Sequence, residues 1–270
     1  MSFKNIVDMH AHTIHSFDGH YSVDEMIESS IEKGIKIVAF TDHVEMDLFR
    51  KNHFDKTADE SFADILRAKE QYKDRIEVCV GVEMGEPTYD LAESEALIAS
   101  KDYDIVIGSI HNLRKTPDFC ELDYNKDNVY SLLDDYFREM KMLAEWGKFD
   151  TFAHLTYPLR YIVGEHRIDV DMTRYQKDID EIFSLLTEKD KPLEINTSGL
   201  RQPIGRTLPD ESYVRRFKEL GGKHVTVGSD SHFVEHMGAG IEQGMQIAKN
   251  CGFDSVLIFR HRQPVEIPIE

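Results

Sequence analysis

The chain has 270 residues, of which 41% are hydrophobic and 30% charged, with thirteen histidines and a formal net charge of -18. That apolar content excludes a disordered chain, and no apolar run approaches the roughly 20 residues that cross a bilayer. The negative charge disfavours a nucleic-acid backbone as the main partner, since phosphate contacts need clustered Lys and Arg; a small cationic substrate or plain solubility fits better.

The length suits a single α/β barrel of about 250 residues better than two ordinary domains, and no linker or repeat marks a boundary. The first apolar run, Asn5–Met9, leads directly into a histidine-rich segment. It reads as a strand carrying ligands rather than a signal peptide, so a cytoplasmic protein is expected. Ser22 and Glu25 form a capping box opening the amphipathic stretch VDEMIESSIEKG, which Gly34 closes. Further short, continuous apolar runs follow at Lys36–Thr41, Val78–Glu83, Ile105–Ile110, Thr151–His154, Pro192–Thr197, Lys223–Gly228 and near Ser255–Phe259. Continuous rather than alternating runs predict strands buried on both faces. Helical patterns separate them, over roughly 61–72, 127–146, 173–189, 210–220 and 236–250. Alternation repeated this often predicts a parallel sheet closed into a TIM-like barrel; an open doubly wound sheet is the alternative, against which no Gly-rich loop follows the first strand.

The polar residues collect at the ends of these runs. His10, His12, His43, His111, His154 and His232 lie at or just past predicted strand C-termini, with Asp42, Glu83 and Asp230 beside them. All strand C-termini of such a barrel converge on one face, so these distant residues are expected to share one pocket. So many imidazoles and carboxylates require cations to offset their repulsion and suit zinc, manganese or iron. Glu83, between Val82 and Met84 in an apolar strand, would be costly to bury unpaired. Asp8 is expected either to orient the strand-end histidines or to pair with a base. His15, His20, His53, His166, His224, His236 and His261 fall outside the pattern and read as surface or loop residues. Cys79, Cys120 and Cys251 are widely spaced and odd in number, which predicts buried, reduced thiols. Asp169, Asp171 and Thr173 match the DxDxT of haloacid-dehalogenase-type phosphatases, but they open a helical stretch instead of following a buried strand, so Asp171 reads as a helix N-terminal residue.

The order DxHxHTxxSxDG, TDH, GxE, GSxH, an isolated later His and GSDSH resembles the polymerase and histidinol phosphatase (PHP) superfamily across essentially the whole chain. The resemblance implies a distorted (β/α)7 barrel over residues 1–270, one metal-dependent phosphoesterase domain with two or three divalent cations (Zn, Mn or Fe). It matches His10, His12, Glu83 and Asp230 to one cation, a bridging Glu83 with His111 and His154 to a second, and Asp18, His43 and His232 to a third. Asp18 stands where some relatives carry a histidine.

Paired cations can share a hydroxide held in line with phosphorus, so hydrolysis needs no phosphoenzyme. The leaving oxygen needs an acid, for which Asp42, His232 and a cation-bound water are candidates. Arg160 follows the fifth run, and Arg201 and Arg206 the sixth. Guanidinium groups bind phosphate oxygens bidentately, and Arg160 and Arg201 stand where the histidinol-phosphatase branch holds its phosphate. The resemblance therefore implies hydrolysis of L-histidinol phosphate, a small-molecule phosphate ester, within histidine biosynthesis. A nucleotide or oligonucleotide phosphodiesterase of the same superfamily is the alternative, followed by amidohydrolase chemistry and a non-catalytic metal-binding module. No heptad or interface stripe indicates an oligomeric state.

Overall fold

The apolar runs become strands because they are buried along nearly their whole length, and the computed structural model, which describes residues 3–270, arranges them side by side. In chain order the elements are β1 (Val7–Ala11), α1 (Val23–Glu32), β2 (Ile37–Phe40), β3 (His43–Glu45), α2 (Phe54–Tyr72), β4 (Glu77–Gly85), α3 (Leu91–Ser100), β5 (Ile105–Ser109) and α4 (Val129–Trp146). There follow β6 (Thr151–Phe152), α5 (Gln176–Glu188), β7 (Leu193–Asn196), α6 (Glu211–Glu219), β8 (Val225–Gly228), α7 (Ile241–Asn250), β9 (Ser255–Arg260) and β10 (Gln263–Pro268).

The sheet runs β1-β2-β4-β5-β6-β7-β8, all parallel. β2 pairs with the first half of β4 and β3 with its second half, His43 opposite Glu83, so the two behave as one strand interrupted at Thr41 and Asp42. Closure comes from the segment after β8: Asp230 N–H donates to the His10 carbonyl at 2.7 Å, and His12 N–H to the Ser231 carbonyl at 2.8 Å. The result is a distorted seven-stranded TIM-like barrel. The Ser22 and Glu25 capping box is present on α1. Helix α4 turns Leu133, Tyr136, Phe137, Met140 and Leu143 onto the barrel, each large apolar side chain contributing roughly 1.5–3 kcal/mol on burial.

Several expectations need correction. The run near Ser255–Phe259 is not a barrel strand; it forms an antiparallel hairpin with β10. Its turn places His261 and Arg262 at positive φ (49° and 61°), as a two-residue turn between right-twisting strands requires. This hairpin binds the N-terminal end of the barrel. Helix α2 starts at Phe54 instead of near residue 61. Cys79 and Cys251 are buried, but Cys120 is exposed; all three are free. Asp171 caps the short turn Met172–Tyr175 by accepting from Thr173 N–H at 3.0 Å, as a helix-start residue should.

Candidate metal centre

At the C-terminal end of the barrel five of the six expected histidines meet around Glu83, and the sixth, His232, stands beside them between Asp230 and Asp18. Glu83 ends an apolar stretch of β4 and is 1% exposed, and its two oxygens serve different sets of rings. Oε2 lies 3.1 Å from His10 Nε2, 3.5 Å from His12 Nε2 and 3.1 Å from His43 Nδ1. Oε1 lies 3.2 Å from His111 Nε2 and 3.0 Å from His154 Nε2. Asp230 Oδ1 is 3.5 Å from His12 Nε2 and 3.7 Å from His232 Nδ1. Asp18 faces His232 Nε2 at 3.2 Å and His43 Nε2 at 3.7 Å.

Which ring nitrogen is bare follows from what the other one touches. His10 Nδ1 meets Glu194 Oε1 at 2.6 Å and His111 Nδ1 meets Glu45 Oε1 at 3.1 Å. His232 Nδ1 faces the Asp230 carbonyl at 3.2 Å, an oxygen that can only accept. His12 Nδ1 contacts Ser16 Oγ at 3.0 Å, and that hydroxyl donates onward to Asp42. In each of the four rings Nδ1 is therefore the nitrogen committed to an outer partner and Nε2 the one pointing inward, the arrangement in which an outer carboxylate, carbonyl or hydroxyl orients a metal-binding imidazole. His10 Nε2, His12 Nε2, His43 Nδ1, His232 Nε2 and Glu83 Oε2 are buried without a hydrogen-bond partner. Unpaired buried polar atoms are costly and rare. Their convergence, with His12/His43/His232, His10/His12/Glu83 and His43/Glu83/His111 each close enough to share one ion, fits a set of divalent cations with N and O ligands.

The electrostatics carry the same tension. Burial alone would lower His10, but Glu83, Glu194 and Asp230 outweigh it and hold the ring well above its usual value. His43 and His111 are raised in the same way, by Glu83 with Asp18 and by Glu45 with Glu83. His12 goes the other way: burial, with repulsion from His232 and His43, pushes it down to about 3. Burial would raise Glu83, yet His10, His111 and His43 keep it well below the carboxylate range.

Three carboxylates of the site escaped the sequence reading. Glu194 holds His10 and also accepts from His154 N–H at 2.9 Å. Glu45 bridges His43 and His111. Glu86 lies behind them and accepts from the backbone of His111 and Asn112. Burial, followed by the Glu45 charge, pushes Glu86 well above the usual carboxylate range. Glu194, inside the apolar run LEIN, carried the same signal of a buried carboxylate that singled out Glu83.

Asp42 must be corrected. Its oxygens accept from Thr13 N–H at 2.7 Å and from the Thr13, Ser16 and Ser61 hydroxyls at 2.8, 2.8 and 2.6 Å. It lines neither cavity at the site and instead fixes the loop carrying His12. Among the described residues Asp8 pairs with no base; it accepts from His10 N–H at 3.4 Å, so it holds the backbone of that histidine, and from Ser229 N–H, Ser229 Oγ and Gly238 N–H, fastening β1 to the loops after β8, while Glu194 takes the His10 ring.

Two adjoining cavities open on the cluster. The inner one, about 230 Å³, is lined by the cluster residues Asp18, His43, Glu83, His111, His154, Asp230 and His232 together with Arg160, Phe17, Asp118, Cys120, Tyr157 and Tyr161. The outer one, about 390 Å³, adds Arg201, Gln202, His20, Phe233 and His236. His20 and His236, read as ordinary loop residues, thus flank the site and pack on Phe233 at 4.5 and 5.5 Å. Arg160 borders both cavities, donating to Ser198 Oγ at 2.6 Å and Gln202 Oε1 at 3.0 Å beneath the Tyr157 ring. Arg201 reaches only the outer cavity and donates to the Ser229 and Asp230 carbonyls, both at 2.6 Å. Arg206 pairs instead with Asp210.

A family model for the PHP domain matches residues 8–198, the span from Asp8 through the end of β7 that carries most of this cluster. The chain belongs to the PHP domain family. Among PHP relatives it is 30% identical over 255 residues to a probable histidinol-phosphatase of Thermotoga maritima, covering 94% of this chain and 95% of the relative. It is 26% identical over 258 residues to the histidinol-phosphatase of Lactococcus lactis, covering 94% of each. The barrel superposes with a TM-score of 0.79 and 23% identity on the Lactococcus lactis histidinol phosphate phosphatase complexed with zinc, L-histidinol and phosphate, over 98% of this chain and 100% of that one.

Proposed function

We propose that this PHP protein is a divalent-cation-dependent phosphomonoesterase that hydrolyses L-histidinol phosphate to L-histidinol and phosphate. The observation that carries the reading is the arrangement around Arg160: an arginine fixed by Ser198 and Gln202 borders the same small cavity as the bare nitrogens of the histidine cluster. Curated relatives spanning nearly their whole length with this chain carry the histidinol-phosphatase name.

His10, His12, Glu83 and Asp230 would hold one cation, Glu83 with His111 and His154 a second, and Asp18, His43 and His232 a third. When bound, such ions supply Lewis acidity, withdrawing charge from phosphoryl oxygens and making water nucleophilic near neutral pH. Zinc, manganese and iron all suit the donor set. Arg160 binds the phosphoryl oxygens, and Arg201 reinforces it from the outer cavity while tethering the loop of Asp230. Tyr157 and Tyr161 line and narrow the cavity beside Arg160. His232 is assigned to a cation and not to acid catalysis, because its Nδ1 proton is committed to the Asp230 carbonyl and its Nε2 is bare. With Asp42 enclosed as well, solvent at the mouth supplies the proton to the leaving oxygen.

The test is phosphate release by protein loaded with manganese or zinc from L-histidinol phosphate, sugar phosphates, nucleotides and a chromogenic phosphodiester. A dominant kcat/KM for histidinol phosphate supports the reading. A preference for nucleotides or the diester would move the protein to the phosphodiesterase branch and overturn it.

A further inference from the structure

The lining of the inner cavity joins the histidine cluster and Arg160 to three aromatic rings, Phe17 stacked on His43, Tyr157 packed on His111 and His154, and Tyr161; beside these rings lies one further carboxylate, Asp118. No Lys, Arg or His of the described residues lies within ion-pair distance of Asp118. Among the described residues its side chain accepts at Oδ1, from Cys120 N–H at 2.7 Å and the Tyr157 hydroxyl at 3.2 Å, and at Oδ2 from none. The same Tyr157 ring has the Arg160 guanidinium over its face, 4.9 Å from the centroid. The cationic and anionic poles of the cavity therefore stand one tyrosine apart. Asp118 is also held in place: its backbone bridges to Asn112, and Phe119 N–H donates to the His111 carbonyl at 2.9 Å, so the carboxylate is tied to the strand end that carries His111.

We propose that Asp118 is the specificity-determining residue for a protonated amine on the alcohol portion of the substrate, so that the cavity selects aminoalkyl phosphates over neutral ones. With the phosphoryl group at Arg160, an ammonium a few bonds away reaches Asp118 Oδ2. The aromatic rings cover the rest of the alcohol and add their quadrupoles to the attraction for the cation. A sugar or nucleoside monophosphate brings no such charge and leaves the Asp118 carboxylate without a counter-charge, which is how a polar pocket disfavours an analogue lacking the matching group. The inference deepens the functional reading above and rests on it.

Asp118→Asn separates this role from a structural one, because asparagine caps a turn as well as aspartate and still accepts from Tyr157. The cation-loaded wild type and variant are compared on L-histidinol phosphate and on 3-phenylpropyl phosphate, and the dissociation constant of L-histidinol is measured by calorimetry as a readout independent of turnover. We expect Asp118→Asn to lose about 10–100-fold in kcat/KM for histidinol phosphate, mostly through KM, the worth of one hydrogen bond to a charged group. L-Histidinol should weaken by a similar factor, while 3-phenylpropyl phosphate stays within about twofold. Equal losses on both substrates, or no change in either the preference or the histidinol affinity, would overturn the role of Asp118 and leave the functional reading intact. A wild-type protein that prefers the neutral phosphate would overturn both.

Discussion

The two ends of the barrel treat buried charge in opposite ways. At the N-terminal end the acids beneath the strands are paired: Asp104 accepts from Val80 N–H and Lys69, Asp150 from Val106 N–H and both Nε and Nη2 of Arg262, and Glu77 pairs with Arg260. At the C-terminal end imidazoles and carboxylates crowd together with bare, buried atoms. The first arrangement is complete in itself and holds the hairpin of β9 and β10 against the barrel. The second leaves buried donors and acceptors without partners of their own, and that is what marks it as a site. Substitutions at the upper end should therefore cost activity and cation content, and those at the lower end should cost stability alone.

The largest effect is expected at Glu83, whose two oxygens serve both halves of the cluster. Glu83→Gln should lower kcat/KM by at least about 10³-fold, beyond the loss of a single transition-state donor, with cation content falling in parallel. Next comes Arg160→Ala, expected to lower monoester turnover by about 10²–10³-fold while sparing a phosphodiester substrate and leaving cation content unchanged. Loss of cation from that variant would mean that Arg160 supports Asp230, 3.5 Å away, more than it binds phosphate.

Smaller effects fall on the carboxylates behind the rings. Glu194→Gln and Glu45→Gln should each weaken cation affinity by about 10–100-fold, as removal of an orienting partner does, with turnover restored at high metal concentration. Cation loading near neutral pH should also release protons, because His10, His43 and His111 are held above their usual values and must give up a proton to bind. Calorimetric titrations in buffers of different ionisation enthalpy measure that release, and a buffer-independent heat would speak against it.

At the lower end, Arg262→Ala should cost roughly 1–3 kcal/mol of stability by leaving Asp150 buried without its charge partner, with no change in kcat. Burial already raises Asp150 above its usual value, and Arg262 opposes that rise. Removing Arg262 raises the folded pKa further, so the stability deficit is absent in acid and grows as pH rises through the folded value. Denaturant unfolding at acid and neutral pH checks the sign.

The same contrast explains what could be read from the chain. Barrel strands were legible because burial on both faces leaves unbroken apolar runs, and the six histidines because each ends such a run. β3 was not, since three residues beyond Asp42 carry no pattern of their own. β10 alternates partly exposed residues with two prolines, an edge-strand character that only its pairing with β9 explains. Asp42 resembled a site residue because it sits beside His43 in sequence, yet its side chain turns toward Thr13, Ser16 and Ser61. Glu45 and Glu86 became recognisable only once folding brought β3, β4 and the His111 strand end together.

The most direct test is elemental analysis of the wild-type protein and Glu83→Gln, purified without chelator and checked for folding by circular dichroism. The account predicts two or three divalent ions per chain in the wild type and the coupled loss of at least two from a folded variant, because one carboxylate joins both halves of the cluster. A wild type with no bound cation, or a variant that loses a single ion and keeps the rest, would contradict it.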